Sequence, residues 1–205
     1  SPCRCGVERD EMNHLPSAQH FPALCRDVVE RNIWYRFEIR ESPPPVDLIS
    51  NVNLVPFADG RVLMICLPDG QWDIPGGTLE PGESYLDTIC RELLEEAGAR
   101  LLTFEPFGAW RCFSFSPEPY RPHLPHPEFY RVVGWGEAVI VSQPQNPRGG
   151  EQVVDVACVP IEEASQRFVA VGRPDLAELY RLAAAVRQAR LNQPDAALTE
   201  CMTAQ

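Results

Sequence analysis

The segment GGTLEPGESYLDTICRELLEEAGA, residues 76–99, constrains the fold more than any other part of this 205-residue chain. Ser84 followed three positions later by Asp87 resembles a capping box, and Gly98 is a natural stop, so one helix is expected over residues 85–97. At about 100° per residue, Leu86, Ile89, Cys90, Leu93 and Ala97 share a face that packs inward. Glu92, Glu95 and Glu96 are expected to converge on the opposite side, with Arg91 beside them and Glu92 one turn from Glu96. Like charges at that spacing destabilise a helix by roughly a few tenths of a kcal/mol, and one arginine offsets only part of it. A solvated acidic face is one reading. A hard divalent cation is the other, because Mg²⁺ takes oxygen ligands and completes its shell with phosphates and water. The glycines just before allow close backbone approach and can lend a carbonyl oxygen to the same ion.

Around this segment the chain reads as α/β with a mixed sheet. The first 45 residues look like an extension, with a short helix around FPALCRDVVERN and a strand at IWYRFEIR; ESPPPVD then breaks regular structure,. The main domain is expected over residues 46–191, followed by a frayed tail at 192–205. LISNVNLVPF and VLMICLP form a hairpin across Asp59-Gly60. Beyond the box, LLTFEPFGAWRCFSF and EFYRVVGWGEAVIVS are strand-rich and flank the proline-laden loop SPEPYRPHLPHP. VVDVACVP is a further strand, IEEASQRF a short helix, and RPDLAELYRLAAAVRQARL an amphipathic helix opening at Pro174.

Composition narrows the partners. With 18 basic against 29 acidic residues, a net charge of −11 repels nucleic-acid polymers,. No apolar run is long enough to span a membrane, and the polar start lacks a signal-peptide core, so a soluble cytoplasmic protein is expected. Homodimerisation is open. The eight cysteines read as reduced thiols,. Cys3, Cys5, His14, His20 and Cys25 offer donors for zinc without a recognised ligand spacing.

Residues 77–99 also resemble the signature of the Nudix (MutT-like) hydrolase family, G-x5-E-x7-R-E-U-x-E-E-x-G-U. Gly77, Glu83, Arg91, Glu92, Leu93, Glu95, Glu96 and Gly98 stand in place, and the last apolar position is Ala99. The resemblance extends over about residues 48–170 in element order. It implies an α/β/α sandwich with a mixed central sheet, and metal-dependent hydrolysis of a phosphoanhydride in a nucleoside diphosphate linked to a further moiety. It further implies that Gly76, Glu92, Glu95 and Glu96 hold Mg²⁺ or Mn²⁺, that Arg91 orients a box glutamate, and that Gly77, Glu83 and Gly98 support the site. The general base in relatives often comes from a loop before the last strand, which here contains Glu151; Glu128 and Glu96 are rivals.

The substrate is less legible. Trp72, Trp110 and Tyr120 are candidates to stack a base, although strand aromatics are more often core. Arg111, Arg121 and Arg148 are candidate phosphate contacts or plain surface cations. Ser114 stands where the ADP-ribose branch has proline, and the SQPWPFPxS pattern of the NADH branch is missing, which disfavours both branches without naming a replacement; the resemblance leaves a modified nucleoside triphosphate or a sugar nucleotide as the leading expectation. A nucleotide-sensing regulator without turnover is the alternative, disfavoured by the intact glutamates. An isopentenyl diphosphate isomerase-like enzyme would require an altered box.

Overall fold

A computed structural model describes residues 15–150 and 152–192. The chain enters its sheet through β1 (Val28–Glu30) and β2 (Ile33–Ile39), and continues into β3 (Ile49–Ala58) and β4 (Arg61–Cys66). Two short strands follow, β5 (Trp72–Asp73) and β6 (Gly76–Thr78), then helix α1 (Tyr85–Ala97). The remainder comprises β7 (Ala99–Leu101), β8 (Glu105–Ser114), β9 (Glu128–Ile140), β10 (Asp155–Val159), α2 (Ile161–Ala170) and α3 (Pro174–Leu191). The main path of the sheet runs β1-β2-β8-β9-β3-β4-β10, with β5 on β4, β6 on β3 and β7 on β9. Among these pairs β3 with β9 is parallel and the rest are antiparallel, which makes the sheet mixed.

Consecutive residues of the central strands point to opposite faces, and both faces are apolar. Leu54, Leu63 and Val132 pack with Ile89 and Leu93 of α1. Their neighbours Val55, Met64 and Val133 pack with Phe168 of α2 and Leu179 and Tyr180 of α3. The result is the α/β/α sandwich that the box implied. Tyr180 is fully buried, and its hydroxyl donates to the Leu63 carbonyl at 2.8 Å, which satisfies a polar group that would be costly there,.

Two expectations are corrected. No helix forms over FPALCRDVVERN. A turn over residues 22–24 and strand β1 take its place. β-Branched Val28 and Val29 pair with Tyr35 and Trp34, across a turn in which Arg31 and Asn32 have φ of 50° and 63°. That is the sign of φ a two-residue type I′ hairpin needs, so tertiary pairing overrides local helix propensity. Helix α3 is also not a simple one-faced amphipathic helix. Leu176, Ala177, Leu179, Tyr180, Leu182 and Ala183 are buried, and so is Glu178. Glu178 accepts a 2.8 Å hydrogen bond from the Leu24 N–H, so the N-terminal segment covers a flank that would otherwise meet water.

Residues 40–45 form neither strand nor helix, and we propose them as the boundary between extension and main domain. Cys3, Cys5, His14 and the tail beyond Asn192 lie outside the described residues. Strand β2, although upstream of this boundary, lies against β8 along its whole length. Its Phe37 is buried and packs edge-on against Trp110, with ring centroids 5.3 Å apart. Phe37→Ala is therefore expected to cost about 3–5 kcal/mol in urea unfolding. Val29→Ala, at an exposed position of β1, should stay within about 0.5 kcal/mol,. Equal effects would show that the extension does not share the core.

Candidate active site

The box is positioned from both sides. Strand β6 runs antiparallel to β3, pairing Gly77 with Val52 and Gly76 with Asn53. Asn51 Nδ2 donates to Thr78 Oγ1 at 2.8 Å, and the Leu54 N–H to the Pro75 carbonyl at 3.0 Å. Helix α1 begins with the expected capping box: the Asp87 N–H donates to Ser84 Oγ and the Ser84 N–H to Asp87 Oδ2. It ends at Gly98 in the left-handed region, φ 60°, where a side chain would also strike the Ser142 carbonyl oxygen,. The Gly98 carbonyl accepts from the N–H groups of Val141 and Ser142, which moors the helix end to the segment leaving β9.

Between these anchors β6 and α1 touch. A Cβ at Gly77 would fall on the Glu92 carboxylate, so only glycine leaves that carboxylate its place. The Gly76 N–H donates to Glu96 Oε2 at 3.0 Å. Helical projection placed Glu96 on a solvent-facing side, but it is only 3% exposed. Strand β6 lies along that flank and replaces water with a backbone donor.

Arg91 gathers the other carboxylates. Its Nε and Nη2 donate to the two Glu83 oxygens at 2.8 and 2.9 Å, and its Nη1 to Glu92 Oε1 at 2.9 Å. The same Nη1 lies 3.5 Å from Glu95 Oε2. The two-pronged bond to Glu83 is the strong, directional form of this pairing. Glu83 also accepts from the Glu80 N–H and from Thr88 Oγ1. Its carboxyl is pulled down to about 2, first by the hydrogen bonds from Arg91. Burial pushes Glu92 upward, against the opposing pull of Arg91.

The expected convergence of glutamates is thus centred on Arg91. Among the described residues, no three acidic, histidine or cysteine side chains close around one ion-sized point. The donor chemistry nonetheless suits a hard divalent ion, since Glu92, Glu95 and Glu96 offer only oxygen and Gly77 keeps the approach to Glu92 clear,.

These residues line a cleft of about 650 Å³. Gly76, Gly77, Arg91, Glu92, Glu95, Glu96 and Tyr120 meet there, together with Thr78, Glu80, Arg121 and residues 147–150. The loop between β8 and β9 reaches the box through Arg121, 3.2 Å from Glu80, and through a 2.8 Å hydrogen bond between His123 Nε2 and the Leu79 carbonyl. Other candidates stand elsewhere. Trp72 lies under the Arg167 guanidinium, and Trp110 packs on Phe37. Arg111 is paired with Glu128, and lines a separate groove beside β2. Glu151 lies outside the described residues. The turn at 147–150 carried a sequence signal, Pro-Arg-Gly-Gly, whereas nothing in the sequence marked Thr78 or Glu80.

The Glu83 carboxyl has a pH signature. Its folded pKa lies below its ordinary 4.5, so the unfolded chain binds the extra proton,. Its stabilisation is full above that value, and is lost as pH falls through about 2,. Thermal unfolding of Glu83→Gln should therefore show a flatter acid limb than wild type between about pH 5 and 2. Parallel curves would mean that the Arg91 pairing contributes nothing in solution.

The NUDIX domain family model matches residues 48–183. A MutT-like protein of Streptomyces ambofaciens is 38% identical over 69 residues, covering 33% of this chain and 45% of that protein. The 8-oxo-dGDP phosphatase of Homo sapiens is 36% identical over 96 residues, covering 38% and 29%. An RNA pyrophosphohydrolase of Bartonella bacilliformis is 27% identical over 89 residues, covering 39% and 52%. The chain thus spans about half or less of each relative's length. A NUDIX hydrolase from Nitrosomonas europaea shares the fold, with a TM-score of 0.50 at 24% identity over 68% of this chain and 90% of that one. With a family match across more than half of its length, box helix included, the chain belongs to the NUDIX domain family.

Proposed function

We propose that this protein hydrolyses a phosphoanhydride in a nucleoside diphosphate linked to a further moiety, a modified nucleoside triphosphate or a sugar nucleotide. The observation that carries this reading is the cleft in which Glu92, Glu95 and Glu96 meet two glycines and cationic loops. Family members generally use divalent ions, and here Glu92, Glu95, Glu96 and the Gly76 carbonyl would hold Mg²⁺ or Mn²⁺. When bound, the ion neutralises phosphoryl oxygens and acidifies a water.

The chain's own residues do the rest. The Gly76 N–H fixes Glu96 Oε2 against the strand, which holds this carboxylate at the cleft wall. Arg91 aligns Glu92 and, by engaging Glu83, is itself kept from rotating away. A proton must leave the attacking water, and Glu151, next in sequence to Gly150 at the cleft, is the proposed acceptor,. Glu128 is turned to Arg111 and does not line the cleft. Tyr120, 82% exposed at the cleft, is the candidate to stack a base,.

The activities of the similar proteins point to 8-oxo-dGDP and RNA as test substrates, and the two substrate classes proposed above add a modified nucleoside triphosphate and sugar nucleotides. With Mg²⁺ or Mn²⁺, phosphate or pyrophosphate release is expected from at least one anhydride, and none from p-nitrophenyl phosphate. Glu96→Gln should lower turnover by about a hundredfold or more with the fold intact, because several kcal/mol of charge stabilisation depend on that ligand. Full activity in excess chelator would sink the hydrolase reading, and so would release from monoesters alone. Tight nucleotide binding without any turnover would favour the sensor.

A further inference from the structure

The cations lining the cleft are not equivalent. Arg91 is already engaged by Glu83, Glu92 and Glu95. Arg121 faces Glu80. Arg148 also lines the cleft, yet it makes no hydrogen bond or ion pair among the described residues. A substrate diphosphate brings several negative charges toward four carboxylates. A guanidinium with no partner among the described residues is the cheapest to recruit, because no pair with them has to break.

The backbone beneath Arg148 is held firmly. The Gly150 N–H donates to the Pro147 carbonyl at 3.1 Å, and Gly149 supplies the positive φ, 86°, required at the second central position of a type II turn,. Arg148 occupies the first central position. Gln152 Nε2 donates to the carbonyls of Pro147 and Gly150, at 3.0 and 3.2 Å. Asn146 exchanges two side-chain bonds with the Val153 backbone, at 2.9 and 2.8 Å, much as a neighbouring strand would. At its base, the N–H groups of Gln145 and Asn146 donate to the Glu95 carbonyl of α1, at 2.8 and 3.4 Å. The turn is therefore referenced to the same helix that bears the box glutamates, so its backbone keeps a fixed relation to them.

We propose that Arg148 is a substrate-binding residue that grips a phosphoryl oxygen of the diphosphate, placed by the polar staple from Glu95 through Asn146 and Gln152. The proposal rests on the diphosphate reading above. It assigns Arg148 to ground-state and transition-state binding alike, so its loss should appear in affinity and KM more than in kcat.

The test uses the full chain in the presence of Mg²⁺, with calorimetric binding of α,β-methylene-ADP and steady-state kinetics on whichever anhydride it hydrolyses. Arg148→Ala should weaken probe binding by about tenfold or more, and raise KM to match, while kcat stays within about threefold. Arg148→Lys should recover part of the affinity, since a point charge replaces a fork. Asn146→Ala, which removes both bonds to Val153, should weaken binding in the same direction by a smaller factor. Probe affinity unchanged in Arg148→Ala, with an active wild type, would overturn the assignment of Arg148 and leave the hydrolase reading standing. Wild-type affinity in Asn146→Ala would overturn the role of the staple. A wild-type chain that neither binds the probe nor hydrolyses any anhydride would overturn both readings.

Discussion

How closely strand β6 can approach helix α1 decides what the cleft can be. Gly77 has no side chain, and the space a Cβ would take is occupied by the Glu92 carboxylate, so glycine lets that carboxylate lie against the strand. One residue earlier, the Gly76 N–H reaches Glu96. A strand placed this close converts one flank of an acidic helix from a solvated surface into a lined wall, with backbone donors in place of water. The rest of the fold serves that contact. β3 carries β6 along its edge, Ile89 and Leu93 seat α1 on the sheet, and Gly98 fixes where the helix ends.

The same proximity sets the electrostatics. Carboxylates gathered at one wall repel each other, and Arg91 is the group that lets Glu83, Glu92 and Glu95 share it. Its engagement has a consequence for substrate recognition. On the proposed reading, a guanidinium with this many acidic partners has little left for a phosphate, and the other arginines of the cleft, Arg121 and Arg148, stand on loops. A division of labour follows, with the box assembling an acidic, metal-suited wall and the loops after β8 and β9 supplying positive charge.

The sequence revealed those parts of the molecule governed by local rules. Ser84, Asp87 and Gly98 bound α1 because capping is decided within a few residues, and Asp59-Gly60 marked its hairpin for the same reason. Where distant contacts decide, the sequence was silent or pointed elsewhere. Glu96 projected to the solvent side of an isolated helix, and only the presence of β6 makes it buried. Val28 and Val29 sat in a helix-like pattern until pairing with β2 claimed them. Trp110 carried the right chemistry for a base platform, yet the register of β8 against β2 turns it onto Phe37. Thr78 and Glu80 enter the cleft through the path of β6 and the turn that follows it, which no residue type announces.

On the proposed reading, the side-chain-free position at Gly77 lets the acidic wall take a divalent ion. Water-proton relaxation during titration with Mn²⁺ tests it most directly, because it reports ion binding without needing a substrate. Saturable Mn²⁺ binding is expected for the wild-type chain, and binding weakened by about tenfold or more for Gly77→Ala, with the far-ultraviolet circular dichroism spectrum unchanged. Equal Mn²⁺ affinity in the two chains would contradict it.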